Sequence, residues 1–600
     1  MTLQSTQHLD ASTLWRDLNL TGDWHQGQSQ SLFESEQKEL SSNDNTYKAI
    51  VDLIERFQDA KTFGSLIEVP NSFEAPLKTL LEEITELADS GDTLQKTAAK
   101  QLVPIVQQAR MLAHRYDIVV ANPPYISDKN FNSIIKSFAR ELYKDSRFNL
   151  YSVFMRRSIK LLSQNGSMGF VSLQSWMSGY KYEAFRDYVL ENCPPTTMAH
   201  IGTEGFDSIS GHVVSATSVI LKNHLNPDYY GVYIDLQKRS GEEEMARVVR
   251  SSANNPSSDC RYIVAARSFR KISGNPIAYW IHDAELDAFE NLSRLEDYAD
   301  FKQGMATTDN EYFLRRWTEL SINDFALGVQ SAKSPEAKGK KWFPYNKGGG
   351  GRRWYGHNDF AVRYEDNGSV LIDLVREKYP KISDPEFVIK NRSYYFKPSV
   401  TYSALSGGEF AARLCEKGFI FDTKGSCAFP KNNVSREQIA SFLNSCVSSK
   451  LLRLLAPTLD FSLFALSGIP APKSFPERTS EIATRCLEIA KQDWDSHETS
   501  WDFSLPPLLE FKNQSSSISL SYQELFVYRK KLVAETKRLE EENNKIFIES
   551  YGLDQFLRPG VALEKITLSC NPNYAYNEIS SKETIEEMLR CDTLKELVSY

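Results

Sequence analysis

No run of 18 consecutive apolar residues occurs in the 600-residue chain, so no transmembrane helix and no membrane partner are expected. Met1 to Gln7 has neither the basic start nor the apolar stretch of a secretory signal. There is no Cys-x-x-Cys pair among the eight cysteines and no His-Glu-x-x-His helix, which argues against zinc fingers and zincins; no metal site is expected. Scattered thiols in so long a chain point to a reducing cytosol. No repeat of fixed period is present. An excess of positive charge is also lacking. The net charge is −8, which excludes a uniformly basic nucleic-acid coat protein but leaves room for a local basic patch.

What is present is ordinary globular material. Hydrophobic residues make up 41% and charged residues 25%, and the length predicts two to four domains rather than one core. Residues 1–100 are polar, with helical spacing over Tyr47–Gln58 and Ala75–Ala88. Tyr116–Val120 reads as a short buried-type strand. Phe148–Leu162 reads as an amphipathic helix ended by Asn165-Gly166, followed by a strand over Met168–Leu173. Lys181–Leu190 is helical, Met198–Ile201 a short strand, and the run from His212 to Leu221 β-rich. This alternation predicts an α/β sheet with crossover connections. Ser251–Asp259 reads as a linker, residues 295–473 as a loop-rich region of short strands, and Tyr522–Glu549 as a long charged helix. Its one apolar stripe holds Leu525, Val527, Leu532, Val533 and Leu539.

Asn122-Pro123-Pro124-Tyr125 is the most informative tetrapeptide. Two prolines stiffen the backbone just past a strand, at the sheet edge where α/β folds place their sites. An Asn side-chain oxygen and a backbone carbonyl are both acceptors. Together they can hold the two hydrogens of an exocyclic NH₂ and leave the nitrogen lone pair aimed at an electrophile, while Tyr125 stacks on the base. The bland alternative is a bare turn, since Asn-Pro and Pro-Pro are common loop punctuation.

After that strand, the tetrapeptide resembles the catalytic motif of adenine-N6 DNA methyltransferases. Leu161 to Val171 resembles the helix-to-strand step that follows it, Ser175-Trp176 the end of that strand, and Gly205-Phe206 with Val213 to Leu221 the final strands. The resemblance makes Phe206 a second base-stacking candidate beside Tyr125. Asp300 to Thr307 and Arg392 to Ser403 look like parts of the target-recognition domain. The combination is most similar to the large methyltransferases of BREX (phage-growth-limitation) defence systems, over roughly residues 60–600.

The resemblance implies an α/β fold: an incomplete Rossmann-like methyltransferase sheet, then a mixed α+β target-recognition domain and a helical C-terminal region. The expected boundaries are 1–100 (polar helical), 101–230 (part of the catalytic domain), 231–294 (connector), 295–475 (recognition) and 476–600 (helical). It implies S-adenosylmethionine as cofactor, double-stranded DNA as partner, other BREX proteins as associates and a cytoplasmic location. One departure stands out. The family's Gly-rich cofactor turn precedes the catalytic motif, yet Gly22, Gly27, Gly64 and Gly91 are isolated and no Gly-x-Gly occurs before Ala121. The cofactor-binding residues are therefore unknown. The expectation is a chain that keeps the base-handling edge, lacks the cofactor half of the sheet, is weak or inactive alone, and is completed by another chain. Losing those strands should leave unpaired edges and exposed apolar faces.

Lys338, Lys340, Lys341, Lys347, Arg352 and Arg353 form a basic segment with no acidic residue between them, interleaved with aromatics and centred on Gly348–Gly351. It is a candidate for phosphate contact, as are Arg392 and Lys397. The alternative is a solvated loop with its aromatics in a local core. His200 and His212 have no ligand-type partner at suitable spacing and read as structural. Two rival functions remain: a non-catalytic DNA-binding specificity subunit, and a protein-glutamine methyltransferase using the same tetrapeptide on a side-chain amide.

Overall fold

Strand periodicity sets the main sheet. Residues 168, 170 and 172 alternate with 167, 169 and 171, and only the first set is buried. The computed structural model describes residues 3–20, 45–203, 215–224, 226–382, 384–404, 409–456, 461–512, 517–576 and 582–600. The chain divides into two bodies, Met1–Arg270 and Lys271–Tyr600.

The first body begins with helices Ala11–Leu18, Asn45–Arg56, Glu74–Ser90 and Thr93–Ala113, which close a core of Leu18, Ile50, Phe57, Ile84, Leu102 and Val106. The last of these helices was not anticipated. Its interior Pro104 and its glutamines and lysines mask the apolar stripe, yet Asp92 and Gln95 form a reciprocal capping box at its start.

Six strands follow: β1 (Tyr116–Ala121), β2 (Leu162–Leu173), β3 (Pro195–Gly202), β4 (Ala216–Lys222), β5 (Tyr230–Asp235) and β6 (Arg261–Ala265). They lie in the order β1-β2-β4-β3-β5-β6. β1 runs parallel to β2 and β3 parallel to β5, whereas β4 is antiparallel to both its neighbours and β6 to β5. The architecture is thus α/β with a mixed sheet. One face carries Met168, Phe170, Met198, Val219, Leu221 and Tyr233, all buried. The helix Leu150–Leu161 packs on β2.

Two local expectations are corrected. The helix stops at Leu161, and β2 starts at once at Leu162 rather than after Asn165-Gly166. Those two residues form an irregularity inside the strand, with Asn165 at φ 65 and the β1–β2 register shifting between Tyr116 and Ile118. Nor is Ser251–Asp259 a free linker. The helix Glu242–Asn254 runs into it, buries Met245 and Val248 against Ile234 and Leu236, and leads to β6, so the expected connector 231–294 carries part of the sheet. Three glutamates in its first turn suit the helix dipole.

The second body holds β7 (Ala299–Lys302), β8 (Leu314–Arg316), β9 (Trp342–Asn346), β10 (Phe360–Arg363), β11 (Ser399–Tyr402), β12 (Ala412–Cys415), β13 (Ile420–Phe421) and β14 (Cys427–Pro430). They form two four-stranded sheets, β13-β9-β10-β8 and β12-β11-β14-β7. Helices Arg436–Leu443, Cys446–Leu455, Glu477–Asp495 and Ile518–Tyr551 follow. The long helix buries Leu525, Leu532, Val533 and Leu539 as its stripe predicts, but Val527 is 52% exposed.

Candidate functional site

Asn122-Pro123-Pro124-Tyr125 leaves the carboxyl end of β1, with Asn122 and Pro124 exposed, Pro123 buried and Tyr125 half-buried. The Tyr125 ring meets the Tyr151 ring edge-on, at 6.1 Å and 87°. Tyr151 is fully buried in the helix Leu150–Leu161, and its hydroxyl lies 3.0 Å from Ser175 Oγ. The Tyr182 ring also lies against Tyr151, with centroids 6.1 Å apart and planes tilted by 38°. Burial raises the phenol pKa of Tyr125, Tyr151 and Tyr182, so all three stay neutral.

Ser175 belongs to the turn that ends β2, beside the end of its parallel neighbour β1. Arg186, wholly buried, donates to the carbonyls of Trp176 at 3.0 Å and Gly179 at 2.6 Å. Burial pulls its pKa down to about 10. The backbone N–H of Gln174 donates to Ser215 O at 2.8 Å, tying this turn to the start of β4. A continuous set of contacts therefore runs from the Pro-Pro turn through Tyr151 to the Ser175-Trp176 turn. Sequence reading named the two turns but missed Tyr151, Tyr182 and Arg186. Tyr151 carries no local signal, because it is one apolar position of an amphipathic helix until the helix is laid on β2. Phe206, Gly205 and His212 lie outside the described residues. His200 is buried, and burial lowers its pKa to about 4.

The basic segment separates into two kinds of residue. Lys338 and Lys341 are exposed, and Lys340 donates to Asn323 O at 2.5 Å. With Lys333, Glu365 and Asp366 they line a cleft of about 760 Å³. Lys347, Arg352 and Arg353 are instead paired with carboxylates: Lys347 with Asp422 at 2.8 Å, Arg352 with Asp493 at 2.7 Å and Arg353 with Glu540 at 2.8 Å. Of the four glycines between them Gly349 is held close: a Cβ on it would lie 2.7 Å from the His357 ring, and its N–H donates to Ser403 Oγ at 2.8 Å.

Arg392 donates to Tyr364 Oη at 3.2 Å and Asn367 O at 3.1 Å. Lys397 is exposed, 5.1 Å from the Tyr394 ring centre, and Lys302 sits at the same distance from that ring. Lys397 lines a cleft together with Asp300, Tyr394 and Arg436. Lys302 and Lys333 were not picked from sequence; each is a single lysine in a mixed stretch, and only the fold sets it beside other cations. Among the described residues no three His, Cys, Asp or Glu side chains converge in a way that would hold a metal ion. No described helix is long and apolar enough to cross a membrane.

Residues 17–206 match the family model of the Eco57I restriction-modification methylases. Over that stretch, which includes the tetrapeptide at the end of β1, the chain is similar to restriction-modification methylases. More particularly, it is a relative of adenine-specific methyltransferases of two kinds. It is 35% identical to the adenine-specific methyltransferase BrxX of Escherichia coli O9:H4 (strain HS), over 99% of this chain and 47% of that protein. It is 29% identical to the adenine-specific methyltransferase PglX of Lacticaseibacillus casei (strain Zhang), over 85% of this chain and 42% of that protein. The chain therefore spans about half the length of these relatives. Among solved structures, the Type IIL restriction-modification enzyme MmeI in complex with DNA is 12% identical and aligns over 88% of this chain and 77% of that one, with a TM-score of 0.45.

Proposed function

We propose that this chain is the base-handling and DNA-recognition part of an adenine-N6 DNA methyltransferase of a phage-defence system. The observation that carries the reading is the Asn122–Tyr125 turn at the carboxyl end of β1, backed by the hydrogen-bonded Tyr151–Ser175 pair. In this reading a flipped adenine stacks on Tyr125. The Asn122 side-chain oxygen and the Pro123 carbonyl accept the two N6 hydrogens, which fixes the amine and frees its lone pair. No general base of unusual pKa is needed, because the proton can leave once N6 is alkylated. Phe206 is the second stacking candidate. The fold proposed is an incomplete Rossmann-like methyltransferase sheet followed by a recognition domain over about 295–475 and a helical C-terminal region.

S-adenosylmethionine, the methyl donor in this class, would supply the methyl group. The residues described do not fit it by themselves. β1 is the edge of the sheet, its open face presents Ile118 and Val120, and no glycine-rich turn precedes it. No step is therefore assigned to donor-binding residues of this chain, and the donor is held by the portion of the relatives' length that this chain does not span. The work would take place in the bacterial cytoplasm, with other proteins of the same defence system as partners.

DNA contact is assigned to the cleft of Lys338, Lys340 and Lys341 and to Lys397, whose ammonium groups face solvent or a surface carbonyl. Arg392, Lys347, Arg352 and Arg353 are engaged with groups of the protein itself and shape the surrounding loops. Those clefts also favour a second reading, a DNA-binding specificity subunit that does no chemistry itself. The glutamine-methyltransferase reading has no use for them.

The test pairs binding with methyl transfer. The purified chain should retain double-stranded DNA with a steep salt dependence and transfer little labelled methyl by itself. In the completed enzyme, Asn122→Ala should abolish transfer to adenine and leave DNA retention intact. Unchanged transfer by that variant refutes the catalytic assignment, and transfer to protein but not DNA supports the glutamine reading instead.

A further inference from the structure

Lys397 stands immediately before Pro398, a pairing that biases it toward extended backbone. The residue before it, Phe396, has φ 68, a conformation that a bulky side chain seldom adopts. The strain is held in place. Phe396 is buried, its ring packs on Phe343 at 5.7 Å, its N–H donates to Phe419 O at 2.8 Å, and its carbonyl accepts from Gly418 N–H at 3.0 Å. Backbone strain of this kind gathers where a protein presents groups to a ligand. Here the strained corner leads into Lys397 and Pro398, and both line a cleft of about 620 Å³ in the second body.

The rest of the lining suits a flat, apolar ligand with an anionic end. Tyr394 and Phe429 meet with ring centres 4.7 Å apart and planes tilted by 53°. Pro398 and Pro430 add rigid apolar surface. The Tyr394 ring is fixed in orientation. Its hydroxyl donates to Asp300 Oδ2 at 3.0 Å, and that carboxylate is itself held 3.8 Å from Lys302 and 3.5 Å from Lys431. Lys302 and Lys397 each lie 5.1 Å from the Tyr394 ring centre. Arg436 also lines the cleft but is shared between Glu416 and Glu437. Lys397 differs from these cations: it is exposed, and among the described residues it pairs with no carboxylate. The cleft therefore offers one fixed aromatic ring, two prolines and one uncommitted ammonium group.

A paired duplex keeps its base planes stacked inside, so the ring and the prolines would meet only sugar and phosphate. An unpaired nucleotide presents both a base plane, which stacks on an aromatic side chain, and a phosphate for a cation. We propose that this cleft binds one unpaired nucleotide, with its base against the Tyr394 ring and its phosphate on Lys397. The Lys397 ammonium leaves the ring to meet the phosphate and so uncovers the ring for the base, while Lys302 stays tied to Asp300. The cleft volume falls within the roughly 300–1,000 Å³ of small-ligand sites. The site is built from other residues than the Asn122–Tyr125 turn and needs no methyl transfer. It rests on the proposed function only in the contact of Lys397 with DNA.

The experiment uses the full 600-residue chain and two labelled DNAs of one sequence, a paired duplex and the same duplex with one unpaired nucleotide bulged from a strand. Fluorescence anisotropy should show the bulged duplex bound roughly 5- to 150-fold more tightly, the worth of one base–aromatic stack. Tyr394→Ala should remove that preference. Tyr394→Phe, which keeps the ring and loses only the bond to Asp300, should restore it. With 5-iodouracil as the unpaired base, photocross-linking of the parent chain should mark Tyr394 in the peptide map, and this readout needs no variant. Deoxyadenosine 5′-monophosphate as competitor separates two sources of the same chemistry. Displacement of the bulged duplex at micromolar concentration makes a free nucleotide the occupant, and displacement at millimolar concentration alone makes it a nucleotide within a strand. Equal affinity for the two duplexes, a preference that survives Tyr394→Ala, or a cross-link on Tyr125 with none on Tyr394 overturns the inference and leaves the proposed function standing. A preference that depends on Tyr394, in a chain whose completed enzyme transfers no methyl group to DNA, keeps this site and sinks the methyltransferase reading instead.

Discussion

The basic segment from Lys338 to Arg353 offers a test in which two kinds of cation give opposite signatures. Arg352 is 3% exposed. Its guanidinium donates to Tyr355 O at 2.7 Å, Ser569 Oγ at 2.8 Å, Ala490 O at 3.2 Å and Asp493 Oδ2 at 2.7 Å. Asp493 also accepts from the backbone N–H groups of Ser569 at 2.7 Å and Cys570 at 2.8 Å. Burial by itself would raise the pKa of this carboxyl, yet Arg352 and the amides hold it below the usual range. Arg352→Met removes the cation and leaves a buried carboxylate with two amide donors. Breaking a buried pair from one side costs about 3–5 kcal/mol. The variant should therefore show a much lower denaturant midpoint, while at temperatures where it stays folded its DNA salt slope should be near that of the parent.

Lys338→Ala, Lys340→Ala and Lys341→Ala together should do the reverse. Surface changes of this kind usually move stability by less than about 0.5 kcal/mol each. If each ammonium meets one phosphate, the slope of log affinity against log salt should flatten by about 0.9 per lysine, or roughly 2.7 for the three. Fluorescence anisotropy of a duplex over a salt series reads the slope, and chemical denaturation reads the stability. The reasoning fails if Arg352→Met flattens the slope as much as the triple variant with an unchanged midpoint, or if the lysine variant keeps the parent slope.

Three further outcomes are expected. Gly304→Ala should be destabilising by more than about 3 kcal/mol or give insoluble protein, since its Cβ would fall 1.8 Å from Phe421 O, whereas Gly328→Ala, with open space around it, pays only about 1–2 kcal/mol for its φ of +66 and should unfold below the parent midpoint but above Gly304→Ala. Tyr125→Ala in the completed enzyme should weaken target-base extrusion, read by 2-aminopurine fluorescence, by the roughly 1–3 kcal/mol of a base–aromatic stack, with Tyr125→Phe close to the parent; an undiminished signal in the alanine variant contradicts the stacking role. Burial, helped by Arg413 and Arg352, lowers the His357 pKa to about 3, below its unfolded value near 6.5. The unfolded chain then binds the extra proton first, so the stability due to neutral His357 is complete above pH 6.5 and declines as pH falls from there toward 3. His357→Gln should flatten the unfolding midpoint between pH 7 and 5, and an identical pH profile would show that the imidazole is not held neutral.

Legibility in the sequence followed the range of the interactions involved. β1 and the Pro-Pro turn were readable because the apolar run Ile118–Ala121 and two prolines are local facts, and the long helix Ile518–Tyr551 was readable because its stripe repeats over many turns. The helix Thr93–Ala113 was hidden by Pro104, and the role of Glu242–Asn254 by its polar ends, although Met245 and Val248 pack it on the sheet. Charge misled in a different way. A run of like charges looks uniform in sequence, yet Lys341 faces solvent while Arg352, eleven residues on, is buried against an aspartate 141 positions away. No spacing rule encodes that partner, because it is set by the packing of the helix Glu477–Asp495. The same argument explains why Tyr151 was missed and the open edge was not. Tyr151 acquires meaning only from what lies over it, whereas Ile118 and Val120 are conspicuous for having nothing described over them. Among the described residues β1 pairs with β2 alone, and Ile118 and Val120, 71% and 77% exposed, depart from the buried-type strand that Tyr116–Val120 reads as, because apolar residues in a strand say what it is made of and not which of its faces is covered.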